Sequence, residues 1–365
     1  MKKTFALAAL AAAMLVFGAG CHSNSPTNGA TGPTDTTKNG GNTSTPDSVL
    51  YSFAVFGCNR LDAADTTGVP STANLAQLDR SFADIAALSP RPNFLVVCGD
   101  LILGKGSSSS ASVDTAVVGQ ELRAWIQHYQ TSPAAAIKLY VTPGNHETQG
   151  WTNGVSFPQA EQAWLNNMSQ YIAGSNGPGV GGPDHLQTDQ SRLSYSIDYR
   201  DSHILLMNSD PVGADATVPV NWAASDMAAA RARGQKHIFA IAHKPAYSWD
   251  NGTSDGLVTS NRDSLWAAFN TNQVEAMITA HNHVYQRLQG TTGKTWMIIS
   301  GNGGSTLETT AGNYRNFGFA VISITKSGKV LMKEYARSYG ANYNDPCPAA
   351  TYPTTARDSA DITWQ

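Results

Sequence analysis

Five apolar runs in this chain are each followed, within four residues, by side chains that can bind a divalent metal ion. The runs are FAVF, FLVV, KLYV, HIFAI and AMIT, and the fragments after them span 57–60, 99–100, 144–147, 242–245 and 280–283. Short continuous apolar runs are typical of buried strands, and α/β folds build their sites in the crevice at the carboxyl ends of such strands. The pattern therefore predicts a layered α/β fold with one site at a shared sheet edge.

The side chains in these fragments predict a transition-metal site. Asp100 and Asn145 offer oxygen atoms, and three histidines offer imidazole nitrogens: His243, His281 and His283. This mixture suits Zn, Mn or Fe better than Ca or Mg, so we expect one or two such ions per chain. Within the expected domain, four more histidines lie outside the fragments and are predicted to be structural or surface residues: His128, His185, His203 and His237.

The periodicity of apolar residues predicts the strands and helices of the chain. Strands are predicted over 50–56, 94–98, 137–141, 193–199, 203–207, 237–242, 276–279, 294–300, 318–324 and 329–335, and helices over 74–88, 120–129, 159–172, 221–233 and 264–270. The βαβαβ opening implies a parallel sheet with right-handed crossovers, whereas the strands after 294 are expected to be antiparallel. We expect two packed mixed β-sheets flanked by helices, with a long loop over 173–190.

The N-terminus carries a targeting signal. Lys2 and Lys3 precede an apolar, Ala-rich stretch over 5–17, and small residues lead into Cys21. This resembles a bacterial lipoprotein signal in which Cys21 is acylated, although Gly18 stands where such signals usually have Leu. We expect a signal peptide over 1–21 and a lipid-anchored protein of the bacterial cell envelope, at the outer membrane. Without acylation of Cys21, the expectation is secretion.

The remaining chain predicts a tethered globular domain. Residues 22–48 are almost wholly small and polar, which predicts a disordered linker. A domain over 49–337 and a polar C-terminal tail over 338–365 follow. The net charge of −3 and a charged fraction of 14% argue against a basic nucleic-acid surface. No later stretch is long and apolar enough to span a bilayer, so the lipid anchor is the expected membrane contact. No feature of the sequence indicates an oligomeric state.

The order of the fragments resembles the calcineurin-like metallophosphoesterase family. Gly-Asp, Gly-Asn-His-Glu, a single His and His-x-His follow one another as in that family. The segments LSYSIDYRDSHILLMNSD, AHNHVYQR and IISGNGGS are similar to the branch that contains purple acid phosphatases. The resemblance covers roughly 51–335. It implies the family's two-sheet sandwich and attack of a metal-activated water on a small-molecule phosphate mono- or diester.

The resemblance also implies a role for each matching residue. Asp100 would bridge two metal ions, and His146 would stand beside the leaving-group oxygen. The remaining ligands would be Asn145, His243 and His281 for the second ion, and His283 for the first ion.

The chain departs from the family at the first metal position. Where the family has Asp and then a second ligand two residues later, this chain has Cys58 and Arg60, and Leu103 replaces the Tyr of the purple branch. Arg cannot be a ligand because it stays protonated. Cys58 is a ligand, an inert thiol or a disulfide partner of Cys98. Arg60 is expected to hold phosphate oxygens, or to pair only with a carboxylate such as Asp100.

Two functions follow from these expectations. The first is an exported, metal-dependent phosphohydrolase with an atypical first metal position. The alternative is a catalytically weakened cell-surface binding protein that retains one metal site and recognises phosphorylated or sugar ligands. The number of bound ions and the turnover of a generic aryl phosphate discriminate between them.

Overall fold

A computed structural model describes residues 47–61, 73–104, 113–150, 154–249, 255–289, 293–308, 316–338 and 348–364. The expected signal peptide, Cys21 and all but the last two residues of the expected linker lie outside these ranges. The described residues fall within one compact unit over 47–365.

The elements are as follows. The strands are β1 (Val49–Phe56), β2 (Phe94–Cys98), β3 (Lys138–Thr142), β4 (Tyr195–Tyr199), β5 (Ser202–Met207), β6 (His237–Ala242), β7 (Ala276–Thr279), β8 (Tyr285–Gln289), β9 (Trp296–Ser300), β10 (Phe317–Thr325), β11 (Val330–Arg337) and β12 (Thr355–Asp361). The α-helices are α1 (Leu75–Ala87), α2 (Thr115–Thr131), α3 (Asn145–Thr148), α4 (Pro158–Met168), α5 (Val220–Ala232) and α6 (Thr259–Asn272).

The strands form two mixed, six-stranded sheets. Their orders are β12-β11-β10-β1-β2-β3 and β4-β5-β6-β7-β9-β8. In the first sheet β1, β2 and β3 are parallel, and β10 to β12 are antiparallel. In the second sheet β5, β6, β7 and β9 are parallel, with antiparallel β4 and β8 at the edges. The predicted fold class of two mixed sheets with helices is confirmed.

Burial on both faces explains why the central strands are continuous apolar runs. On β6, Phe239 belongs to the core between the sheets, where its ring lies 5.3 Å from that of Phe53. The next residue, Ala240, belongs to a second core together with Met227 of α5 and Trp266 of α6. Because both faces are covered by protein, neither can carry polar residues. The polar groups of β6 are therefore confined to its ends, where the site lies.

The short helix α3 was not predicted, and three strands also differ from the expectations drawn from the sequence. β9 was expected to be antiparallel, but it pairs parallel with β7, with Ile298 opposite Ile278. β8 was not predicted, because all its residues are half-buried or exposed and it lacks an apolar run. The polar tail contains β12, which pairs antiparallel with β11. In the described part of the chain, helices are either too short or too polar to cross a membrane.

Candidate metal centre

Turns that follow the parallel strands adopt backbone conformations that are rare for residues other than glycine. Cys58, Arg60, Asp100 and His281 have φ values of 61°, 51°, 53° and 64°. Each such residue costs on the order of 1–3 kcal/mol and persists only where the surroundings enforce it. They follow β1 and β2 of the first sheet and β7 of the second, so these turns lie at the carboxyl ends of strands from both sheets. Strain of this kind accumulates at functional sites.

Two glycines allow these turns to approach one another. A Cβ atom on Gly99, which has φ +83°, would lie 2.5 Å from Nδ1 of His243. A Cβ atom on Gly144 would lie 2.4 Å from Oδ1 of Asp100. Both distances are far shorter than a van der Waals contact, so any larger residue would push the ligand-bearing turns apart.

Glu147 fastens the turn after β2 to the turn after β3. Its carboxylate accepts the backbone N–H groups of Asp100 at 3.0 Å, Leu101 at 2.7 Å and Ile102 at 3.1 Å. It also accepts the N–H of Gly144 at 2.7 Å. The sequence marked Glu147 only as part of a motif. The structure shows that it positions Asp100 without entering the ligand set.

Four atoms with lone pairs converge at the buried edge. Nε2 of His243 lies 3.0 Å from Oδ1 of Asp100 and 3.1 Å from Oδ1 of Asn145. Nδ1 of His281 lies 3.1 Å from Oδ1 of Asn145 and 3.1 Å from Nε2 of His243. Nδ1 of His243 faces the carbonyl oxygen of Cys98 at 2.9 Å, and donating to it leaves Nε2 as the lone-pair atom of a neutral ring.

The spacing of these atoms fits a metal ion. Ligand atoms about 2.0–2.1 Å from a tetrahedral zinc ion lie roughly 3.3 Å from one another. When His243 and His281 are neutral, four lone pairs face one shared buried space that a cation can occupy. The second metal position of the expected site is therefore compatible with the residues present: Asp100, Asn145, His243 and His281.

The charges around this group keep its acid ionised. Burial would raise the pKa of Asp100, but the charges of His243, His146 and Arg60 hold it well below its usual range. Burial lowers the pKa of His243, yet the charge of Asp100 and a hydrogen bond to it raise the pKa above the ordinary value. Burial and the neighbouring His243 hold the pKa of His281 well below its usual range. A neutral His281 and an ionised Asp100 are the ligand forms that a metal requires.

Arg60 forms an ion pair with the second carboxylate oxygen of Asp100. Its Nε and Nη2 atoms each lie 3.0 Å from Oδ2 of Asp100. The oxygen that would reach a first ion is thus already bound to a guanidinium group. The pairing of Arg60 with Asp100 is the arrangement that the structure adopts.

His283 stands apart from the four converging atoms. Its Nδ1 lies 2.6 Å from the carbonyl oxygen of Thr306, and its buried Nε2 has no hydrogen-bond partner. Burial, then the charge of Arg60, lowers the pKa of His283 to about 3. The ring is therefore neutral, and Nε2 presents a lone pair to the interior.

Cys58 is a buried thiol beside the site. Its Sγ accepts the backbone N–H of His281 at 3.1 Å. Sγ of Cys58, a carboxylate oxygen of Asp100 and a ring nitrogen of His243 all lie within 4.8 Å of one another, a spacing that could hold a metal ion. Burial and the charge of Asp100 raise the pKa of Cys58 well above its usual range. Cys58 and Cys98 are both free, so the disulfide alternative is wrong. The reason is geometric, since the turn directs Sγ to the His281 amide.

His146 borders the same space. Its backbone N–H donates to Oδ1 of Asp100 at 3.1 Å, and its Nδ1 lies 2.6 Å from the carbonyl oxygen of Leu103. Nε2 of His146 lies 3.9 Å from Oδ2 of Asp100. The second ring nitrogen therefore faces the carboxylate and the guanidinium bound to it.

The remaining histidines have partners elsewhere. His128 contacts Asp79, His203 lies between Asp198 and Asp226, and His237 contacts Glu275. The loop residue Asp184 accepts the backbone N–H groups of Asn221 and Trp222 at the start of α5. These contacts agree with structural roles for His128, His203 and His237. Asn59 was missed by the sequence analysis: its amide donates to the carbonyl oxygen of Gly303 at 3.0 Å and secures the turn that carries Arg60.

Two mixed sheets that deliver carboxylate, amide and imidazole groups to one edge define an α/β protein with a candidate metal centre. Residues 54–285 match the family model described as calcineurin-like phosphoesterase, and the chain belongs to this family. The match confirms the family that the sequence motifs indicated. A comparison with curated protein sequences gives no match.

Solved structures share the fold at low sequence identity. Purple acid phosphatase PPD1 from yellow lupin (Lupinus luteus) seeds is similar with a TM-score of 0.57 and 16% identity, over 86% of this chain and 53% of that one. This chain thus spans about half of the lupin protein. GAP50, the anchor in the inner membrane complex of Plasmodium, is similar with a TM-score of 0.52 and 13% identity, over 87% of this chain and 90% of that one.

Proposed function

We propose that the protein hydrolyses phosphate mono- or diesters with one divalent ion held by Asp100, Asn145, His243 and His281. The observation that carries the proposal is the convergence of four lone-pair atoms with neighbouring distances of 3.0–3.1 Å. Zn, Mn or Fe suits this ligand set. When bound, such an ion supplies Lewis-acid activation of water and of the phosphoryl oxygens.

Arg60 binds and orients the phosphate in this proposal. Two of its N–H groups point at Asp100, which leaves the other donors of the planar guanidinium for phosphate oxygens. Its side chain is 21% exposed, so it can be reached from solvent. The fixed positive charge stabilises the charge that develops on the phosphoryl oxygens during transfer.

His146 serves the leaving group. Because Nδ1 is held by the carbonyl oxygen of Leu103, Nε2 is the nitrogen that faces the site. In its protonated form, His146 donates that proton to the departing oxygen and so avoids the release of an alkoxide.

A single ion per chain is part of the proposal. A second divalent cation about 4 Å from the Arg60 guanidinium would be repelled by roughly 8 kcal/mol at an effective dielectric constant near 20. It would also have to displace Arg60 from Oδ2 of Asp100, where both guanidinium contacts are 3.0 Å long. Arg60 therefore takes over part of the electrostatic role of the missing ion.

The same contact favours a second candidate function. If Arg60 cannot replace the ion, the protein is a cell-surface binding protein that keeps one metal site and recognises a phosphorylated ligand without turning it over. The ligand set is shared by both candidates, so turnover is the property that separates them.

The test is hydrolysis of an aryl phosphate monoester and a bis-aryl phosphate diester after metal removal and readdition of Zn, Mn or Fe. We expect hydrolysis to return with metal, and His243→Ala to abolish both metal binding and hydrolysis. His128→Gln, at a half-exposed histidine that contacts Asp79, is the control and should leave both intact. Metal binding without turnover supports the binding protein, and absence of metal binding overturns the site.

We also propose export and lipid anchoring through Cys21. The support is the sequence of the N-terminus alone: a positive start, an apolar stretch, small residues, and a polar segment after the cysteine. Mass spectrometry of protein from the native host should show a diacylglyceryl modification on an N-terminal Cys21. An unmodified Cys21 in the mature chain would show that the protein is not anchored in this way.

A further inference from the structure

Asp210 is a fully buried acid in the loop that follows β5. Its Oδ1 atom accepts three hydrogen bonds, from Nζ of Lys244 at 2.6 Å, from Nε2 of Gln149 at 2.9 Å and from the backbone N–H of Ala216 at 3.0 Å. Its Oδ2 atom accepts from the hydroxyl of Ser209 at 3.1 Å. Lys244 and Gln149 come from two other segments of the chain, so one carboxylate joins three segments.

Lys244 connects Asp210 to the turn that carries His243. It directly follows His243 in the chain, and its ammonium group forms an ion pair with Asp210 in which the two side chains are 12% and 0% exposed. Its backbone N–H also donates to the hydroxyl of Ser209 at 3.1 Å. Solvent ions screen a buried pair only weakly. The turn after β6 is therefore fastened to the loop after β5 by both its side chain and its main chain.

Gln149 connects Asp210 to the helix that carries Asn145. It follows the one-turn helix α3, and its backbone N–H donates to the carbonyl oxygen of Asn145 at 2.8 Å. Its side-chain Nε2 also donates to Oδ1 of Asp215 at 3.0 Å, and that oxygen accepts the backbone N–H of Ser156 at 2.9 Å. The end of α3 is therefore held by two acids of the loop after β5, and a displacement of Gln149 would move Asn145.

The loop that carries these two acids has a strained backbone. Ala216 has a φ value of 56°, a left-handed conformation that is unfavourable for any residue with a Cβ atom. Its N–H is one of the donors to Oδ1 of Asp210, so this contact helps to enforce the conformation. Strain of this kind persists only where the surroundings enforce it, and it accumulates at functional sites.

The two ligand-bearing segments come from different sheets. Asn145 follows β3 of the first sheet and His243 follows β6 of the second, yet Oδ1 of Asn145 and Nε2 of His243 lie 3.1 Å apart. Hydrogen bonds within one sheet cannot fix this distance. A metal centre needs its ligands held within about 0.5 Å of the binding geometry by the residues around them. The contacts from Gln149 through Asp210 to Lys244 join the two segments at this point.

We propose that Asp210 is a positioning residue of the candidate metal centre. By holding Lys244 and Gln149 at once, it fixes the separation of His243 from Asn145 and so sets the affinity for the ion. Asp210 acts through these two residues and is not itself a ligand. The inference rests on the proposed function, because it takes the ion to be held by the four converging atoms.

The test is a titration of Co²⁺ into metal-free, full-length protein, followed by visible absorption. Co²⁺ takes imidazole and oxygen ligands, and its visible absorption reports how these ligands are arranged. Asp210→Asn has nearly the same shape, and we expect it to lower the Co²⁺ affinity by roughly tenfold to a hundredfold, the usual loss when a group that orients metal ligands is removed. The absorption of the loaded variant should also differ from that of the wild type. A variant that unfolds at lower urea concentration but keeps the wild-type affinity and absorption would show a purely structural role and overturn the proposal.

Variants of the two partners test the route by which Asp210 acts. Gln149→Met and Lys244→Met each remove one connection, and each should lower the Co²⁺ affinity. In the double variant Asp210→Asn with Lys244→Met, the loss should be smaller than the two single losses in free energy added together, because both remove the same contact. Additive losses would overturn this route. If Asp210→Asn does not fold, Gln149→Met decides, and wild-type affinity and absorption in that variant would overturn the proposal.

Asp184→Asn is the matched control. The Asp184 carboxylate also accepts two backbone N–H groups, from Asn221 and Trp222, but at the start of α5. This variant should keep the wild-type affinity and absorption, and an equal loss in it would count against the proposal. A wild-type protein that binds no Co²⁺ would overturn the proposed function and this inference together. A wild-type protein that binds Co²⁺, with equal binding by Asp210→Asn, would overturn this inference alone.

Discussion

Asp100 is the residue on which both halves of the candidate site depend. Its Oδ1 faces His243 at 3.0 Å, and its Oδ2 holds Arg60 at 3.0 Å. A carboxylate that bridges two metal ions would have a cation on each oxygen. In this structure the cation on Oδ2 is the guanidinium group of Arg60.

Substitution of Arg60 tests its role in holding phosphate. Arg60→Ala removes the donors, and we expect hydrolysis to fall by about 10²–10³, the usual effect of losing one such donor. The double variant Cys58→Asp with Arg60→His should instead raise metal content toward two ions and increase hydrolysis. Steady-state kinetics and elemental analysis measure these effects. Full activity of Arg60→Ala, or unchanged metal content in the double variant, would show that Arg60 does not replace an ion.

Glu147 is expected to control metal affinity without binding the metal. Glu147→Gln places an NH₂ group against backbone donors, and we expect the free energy of unfolding to fall by about 1–3 kcal/mol. Because Asp100 then loses its anchor, metal affinity should fall as well. Glu161→Gln, which alters a buried carboxyl bound to Gln190 and Val212, should lower stability and leave metal affinity unchanged. Equal metal affinities in wild type and Glu147→Gln would refute the positioning role.

At the scale of elements, the strands that carry the candidate ligands were predictable from sequence. β2, β6 and β7 are buried over their whole length, so their apolar runs stand out and their ends mark the site. The pairing of Arg60 with Asp100 was not predictable as the preferred alternative, since it depends on left-handed turns after β1 and β2. No sequence pattern fixes such turns when the residues are not glycine.

Strands β8 and β12 were not predictable from the sequence. β8 and β12 are polar, and they form because each has an edge to pair with. Asp358 of β12 binds Tyr285 and Arg287 of β8, a contact between residues more than 70 positions apart in sequence. Strands of this kind are defined by tertiary partners, which local periodicity does not encode.

Removal of the Asp358 contacts should loosen the tail strand. Asp358→Ala deletes a hydrogen bond from Tyr285 and a partly exposed ion pair with Arg287, and we expect a loss of roughly 1–2 kcal/mol in unfolding free energy. Hydrogen exchange of the β12 amides should accelerate, while the amides of β1 keep their protection. Unchanged exchange in β12 would mean that backbone pairing with β11 alone holds the strand.

For the whole molecule, Glu334 links stability to pH. Burial raises the pKa of Glu334 from 4.5 to about 7, against the opposing charge of Arg357 and the hydrogen bond from Asn302, while Asp358 raises it further. Between these two values the unfolded chain releases a proton that the folded chain keeps. Stability therefore falls as pH rises from about 4.5 to 7, by on the order of 3 kcal/mol when the change is complete.

Glu334→Gln should remove the contribution of this carboxyl to the pH dependence. Urea unfolding at several pH values should show that the variant gains stability relative to the wild type as pH rises through this window, because no carboxyl is left to ionise. The difference should be smallest below pH 4.5, where the carboxyl is protonated in both states. A constant difference between the variant and the wild type at all pH values would show that Glu334 titrates normally in the fold.

In the proposed function, the two-sheet phosphoesterase holds one catalytic metal ion per chain. The direct measurement is a titration of Zn, Mn or Fe into metal-free protein, with hydrolysis of an aryl phosphate followed at each addition. We predict that hydrolysis rises in proportion to bound metal and stops rising at one equivalent per chain, because Arg60 holds Oδ2 of Asp100. A break at two equivalents, or saturation with metal without any hydrolysis, would contradict the account.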